Sequence, residues 1–102
     1  MICFHGIGDD LSELQHEFNY IRRRCQLNVL GVEYPGFGLN WDHGICTEER
    51  MIRDAKAVLK FIHSELKIEF EDIILWGRSI GTGVVAQLAK SMLTPPALLI
   101  LQ

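Results

Sequence analysis

Four short runs of this chain are apolar almost throughout, residues 1–4, 28–34, 73–76 and 97–101, and each is separated from the next by a segment with helical spacing. A strand with one wet face alternates polar and apolar residues. A strand that stays apolar on consecutive positions is covered on both faces, as in a parallel sheet whose crossovers are helices. The order strand, helix, strand, helix, strand, helix, strand therefore predicts an α/β fold of βαβ units: four parallel strands with helices on both faces.

The helical segments carry their own start and stop signals. Asp9 and Asp10 suit a helix start with Glu13 three residues after Asp10, and Leu11, Leu14, Phe18, Ile21 and Cys25 then share one face. The second helix begins at Thr47, whose hydroxyl can accept from the first turn, with Glu48 and Glu49 at the positive end of its dipole. Its buried stripe is Met51, Ala55, Val58, Leu59, Ile62 and Leu66. The third helix buries Val85, Leu88, Ala89 and Met92 and stops before Pro95 and Pro96. The longest irregular stretch, residues 35–46, holds three glycines and is predicted to be a loop at the carboxyl edge of the sheet, where folds of this kind keep their sites.

Composition narrows the function classes. The 102 residues carry a net charge of −3, and the one basic run, Arg22 to Arg24, falls at a helix end, so nucleic acid is not an expected partner. Three cysteines without C-x-x-C spacing argue for reduced thiols and against a zinc site, with Cys3 and Cys25 as small buried side chains. The longest apolar run is far short of the roughly 20 residues of a membrane-spanning helix. The expectation is a cytoplasmic protein, with any membrane attachment left to segments outside these residues.

Chemistry enters with Gly77-Arg78-Ser79-Ile80-Gly81, a G-x-S-x-G between an apolar run and a helix. A reversal that tight brings the residues two before and two after the serine together, and a Cβ at either would clash. Ser79 then stands exposed as a candidate nucleophile. Residues 1–4 run into His5-Gly6-Ile7-Gly8, a small-residue loop able to bring backbone N–H groups near a ligand. Two donors for a developing oxyanion follow, the N–H of Ile80 and the N–H of Ile7. Arg78 reads as solvent-facing or salt-bridged. A rival fingerprint, Gly81-x-Gly83-x-x-Ala86, resembles a dinucleotide loop, but three residues separate its first glycine from the strand-ending Gly77. No acidic residue stands about 20 positions later.

Taken together, the strand into His5-Gly6, the strand into Tyr34-Pro35-Gly36-Phe37-Gly38 and the run Gly77 to Gly83 resemble the α/β-hydrolase superfamily. The pairing of Y-P-G-F-G with G-R-S-I-G-T-G looks most like the branch that holds protein depalmitoylases and serine aminopeptidase-like relatives. Ile7 and Gly8 depart from it, standing where that branch often has asparagine and a small residue. The resemblance implies a partial hydrolase domain over residues 1–102, truncated at both ends, with strands in the spatial order second, first, third, fourth. It also implies a serine hydrolase that transfers the acyl group of an ester or thioester, protein depalmitoylation among the candidates. The substrate would be an acylated small molecule or protein, and no cofactor would be needed.

In that superfamily the acid and the histidine of the triad follow the serine in sequence. Residues 80–102 hold no Asp, Glu or His. His5 matches the oxyanion loop, His63 lies in the second helix, and His43 in the glycine-bearing loop is the histidine kept as a candidate base. The expectation is thus a fragment that is inactive by itself, with a non-catalytic binding or scaffold protein as the alternative.

Overall fold

The computed structural model describes residues 1–102. Its elements are β1 (Ile2–Phe4), α1 (Gln15–Cys25), β2 (Leu30–Val32), α2 (Glu48–Ser64), β3 (Ile74–Gly77), α3 (Ile80–Ser91) and β4 (Leu98–Leu101), with single 3-10 turns at Gly38–Asn40 and Phe70–Asp72. The four strands form one parallel sheet in the order β2-β1-β3-β4. Fold class and strand order are those expected from the sequence.

The two faces of the sheet are filled differently. Ile2, Phe4, Val32 and Leu75 point to the side of α2 and α3, where they pack with Met51, Ala55, Leu59, Ile62, Val84, Val85 and Leu88 into the main core. Cys3 and Trp76 occupy the alternate positions and so face the other side. There Phe18 of α1 meets the Trp76 ring edge-on at 6.5 Å. Gly31 lets α1 approach β2, since a Cβ there would lie 2.6 Å from Leu11 and 2.8 Å from Phe18.

Local signals were met with four differences. Thr47 caps α2 by accepting from the Arg50 N–H at 3.3 Å. The first helix, by contrast, starts only at Gln15: Asp10 takes the Ser12 and Glu13 N–H groups at 2.8 and 3.2 Å and makes a turn of its own ahead of the helix. Cys25 is exposed rather than buried, because it is the last residue of α1 and the chain leaves through Gln26 at φ +53°. Leu66 is exposed as well, lying past the end of α2. The core of α3 is shifted one turn toward its start, with Gly81 and Val84 buried beside Val85 and Leu88, while Ala89 and Met92 are half-buried.

Coverage also fails at one edge. Leu98 and Leu101 of β4 are each about half exposed, 51% and 55%, and the free side of the strand has no partner. An apolar strand edge of this kind pairs readily with another chain. Concentration-dependent association of the 102-residue chain is expected in sedimentation, and a clean monomer at every concentration would contradict it.

The thiols should separate by reactivity. Burial, reinforced by the nearby Glu17 carboxylate, pushes the Cys3 thiol up to about 12, whereas Cys25 is open to solvent. Alkylation at pH 8 should take Cys25 first and Cys3 only after unfolding, as read by mass spectrometry of the digested protein.

Candidate active site

Register places the candidate groups. Phe4 of β1 is paired with Gly77 of β3, so the loop that leaves β1 and the turn that leaves β3 start side by side at the carboxyl end of the sheet. The order of connection reverses between these strands, which is where open α/β sheets bind ligands. The two segments touch: a Cβ on Gly6 would lie 3.4 Å from the Cβ of Ser79.

The turn at Ser79 is forced by its neighbours. Ser79 has φ +52° and ψ −117°, a conformation that L-residues other than glycine rarely adopt and that costs of order 1–3 kcal/mol. Gly77 and Gly81 make room for it. A Cβ on Gly77 would run into the carbonyl of Gly81, and a Cβ on Gly81 would run into the carbonyl of Phe4. Backbone hydrogen bonds pin the turn from both sides: Arg78 N–H donates to the Phe4 carbonyl at 2.9 Å, Ser79 N–H to Gln102 at 2.7 Å, and Gln102 N–H to Gly77 at 2.9 Å.

Ser79 stands at the start of α3 yet does not cap it. A serine at that position ordinarily accepts from the first turn; here its hydroxyl makes no such bond, and it is exposed. The next two N–H groups but one are internally satisfied, Gly81 to Arg78 and Thr82 to Ser79, both at 2.9 Å. The Ile80 N–H has no partner. Residues 6–9 form a turn closed by the Asp9 N–H on the Gly6 carbonyl at 3.2 Å, and the N–H of Ile7 inside that turn is likewise unpartnered. Ile7 and Ile80 also line one apolar cavity, together with residues of α2 and α3.

The supporting residues beneath are buried. The His5 ring is fully enclosed, its Nε2 2.6 Å from Glu33 Oε1 and its Nδ1 2.8 Å from the Gly6 carbonyl, and it packs against Tyr34 with ring centroids 4.4 Å apart. Tyr34 donates its hydroxyl to the His5 carbonyl at 3.0 Å. Sequence reading missed Glu33. Its second oxygen accepts the Leu11 N–H at 3.1 Å, so one carboxylate holds both ends of the loop that carries Ile7. The signal was present, a single acidic residue in an apolar strand run, and no role was assigned to it.

Other groups near the site are poor nucleophiles. Burial raises Tyr34 well above the ordinary phenol range, and burial also raises the Cys46 thiol, partly offset by Arg50. His43 pairs with Asp42 at 3.0 Å in solvent and does not line the cavity. His63 stacks on Phe70 at 4.5 Å, and His16 lies on the exposed side of α1. Arg78 reaches toward Asp9 and Glu17, 3.7 Å from each, half-exposed as its sequence position suggested.

Against this geometry, the relatives are informative. The chain is 28% identical over 90 residues to mouse alpha/beta hydrolase domain-containing protein 17C, covering 88% of this chain and 28% of that protein. It is 31% identical to alpha/beta hydrolase domain-containing protein aho-3 of Caenorhabditis elegans, with 88% and 26% covered. It is 25% identical over 101 residues to putative alpha/beta hydrolase L404 of Acanthamoeba polyphaga mimivirus, with 98% and 38% covered. These relatives support the α/β-hydrolase superfamily. The chain spans between about a quarter and two fifths of their lengths. No family model matches it, and no solved structure does.

Two glycines of one helix give a paired test. Gly81→Ala forces a methyl group onto a backbone carbonyl and should cost about 1–3 kcal/mol or more, whereas a Cβ on Gly83 meets no atom within 4 Å, so Gly83→Ala should stabilise by about 0.5–1 kcal/mol. Denaturant unfolding of the two variants checks the difference. For the loop, Glu33→Ala leaves a buried imidazole nitrogen unpaired, a loss of about 1–3 kcal/mol. Amide exchange should speed at Leu11 and its loop before it speeds in β3.

Proposed function

We propose that Ser79 is the nucleophile of a serine hydrolase that transfers the acyl group of an ester or thioester. The observation that carries this reading is the pair of unpartnered N–H groups, Ile7 and Ile80, carried by the two segments that touch at Ser79, whose exposed hydroxyl caps no helix. Two donors held by the backbone and left without a protein acceptor suit an oxyanion, and removing one such donor typically costs about 3 to 4 kcal/mol of barrier. The start of α3 adds its dipole to the same point.

The reaction proceeds in two balanced steps. Ser79 Oγ attacks the carbonyl carbon, the carbonyl oxygen takes negative charge against Ile80 and Ile7, and collapse expels the alcohol or thiol with the proton that a base removed from the serine. Water then repeats the attack on the acyl-serine and frees the acid. We assign base and acid to sequence outside these 102 residues, because residues 80–102 offer neither and the relatives are much longer. Protein depalmitoylation is one reaction of this class.

Labelling with an ethyl fluorophosphonate tests the assignment, since this reagent needs an activated serine and little else. A form extended at its carboxyl end should label at Ser79 and hydrolyse an activated thioester, and Ser79→Ala should abolish both. The 102-residue chain should show at most the residual rate of a triad without its base, about 10³ to 10⁴ over water. Turnover by the short chain that depends on Ser79 would make His43 the base. An extended form that does not label would favour a binding or scaffold protein.

A further inference from the structure

The cavity that Ile7 and Ile80 share has no role in the mechanism above. It is a pocket of about 230 Å³, partly open to solvent, and eight of its eleven lining residues are apolar. Exposed Ile7, Ile80 and Gly83 ring it at the surface, while Tyr34, Met51 and Val84, all nearly inaccessible, close it beneath. Ile80, Gly83 and Val84 stand at i, i+3 and i+4 of α3 and so share one face. Glu48 is the one charged residue in the lining, which disfavours an anionic occupant.

The unpartnered N–H groups belong to the same two isoleucines. A carbonyl oxygen resting on them therefore has this apolar space within reach of its own hydrocarbon chain. Capacity follows from packing: an apolar cavity of about 150 Å³ takes benzene, or roughly 25 Å³ per carbon, so 230 Å³ holds about nine carbons.

We propose that the cavity receives the acyl tail of the substrate as a neutral straight chain of about nine carbons, and that Gly83 sets its size. The identity of the ligand rests on Ser79 acting in acyl transfer; the existence of the site does not. A side chain at position 83 would enter open space, since a Cβ there meets nothing within 4 Å. Longer chains, hexadecanoyl included, would leave their remaining carbons outside.

The test is calorimetric binding of N-methyl alkanamides of four to fourteen carbons, which carry the carbonyl and the tail but resist hydrolysis. Affinity should rise about fourfold per methylene and level off near nine carbons. Gly83→Leu should flatten the rise while the thermal midpoint is kept or raised. Gly83→Ala should move the plateau about one carbon shorter, and it carries the test if the leucine variant folds poorly. Affinity independent of length, a rise unbroken to fourteen carbons, or an unchanged profile in a folded Gly83→Leu protein would each overturn the proposal. Failure of the serine assignment looks different: the ethyl fluorophosphonate leaves Ser79 unlabelled while the length profile stands.

Discussion

The fold turns on one close approach, that of the first turn of α3 to the backbone at the ends of β1 and β3. With no Cβ at Gly81, the helix sits directly on the carbonyl of Phe4, and with none at Gly77 the strand can turn back on the same helix. Everything about the candidate site follows from that contact. It sets the depth of α3 against the sheet, brings Val84 and Val85 into the core, and leaves Ser79 no conformation but one with positive φ. A strained residue persists where its surroundings over-determine it, and here three backbone hydrogen bonds and two missing methyl groups do so.

The second constraint is electrostatic and lies one strand away. His5 and Glu33 are brought together by the β1–β2 pairing, in which Phe4 is opposite Val32. Both nitrogens of a buried ring face oxygen acceptors, and the carboxylate spends its other oxygen on a loop N–H, so no polar side-chain atom of the buried site is left unsatisfied. Against that background two free backbone N–H groups stand out. Beside a site whose buried side-chain polar atoms are all paired, unpaired donors near an exposed hydroxyl are the feature that distinguishes this turn from an ordinary strand-to-helix connection.

Much of this was legible in the sequence, for reasons that can be stated residue by residue. Fully apolar runs required a covered parallel sheet, and Gly77 and Gly81 required the backbone contact that the structure contains. The reading failed where burial depends on how far an element extends. Cys25 and Leu66 fit the apolar periodicity of their helices but lie at or beyond the helix end, where periodicity no longer decides what is covered. Asp10 was read as capping the helix, and its carboxylate closes a separate turn instead, because a short acceptor next to Ser12 finds local N–H groups before a helix begins. Glu33 needed a partner 28 residues away to acquire meaning, and a pairing over that distance is a property of the sheet and not of the local sequence.

The hydrogen bond from Ser79 to the carbonyl of Gln102 has a consequence for the order in which the molecule is built. Most supports of the serine turn are made earlier in the chain, by β1 and by the turn's own glycines. This one, like the bond from the Gln102 N–H to Gly77, waits for a residue 23 positions downstream of the serine, added only after α3 has been synthesised. A nascent chain that folds from its amino end can therefore form β1, β2 and α2 while the serine's backbone still samples relaxed conformations. The close packing of α3 then imposes the strained turn, and the docking of β4 on β3 adds its last clamp, so the rigidity of the hydroxyl is coupled to the pairing of these two strands.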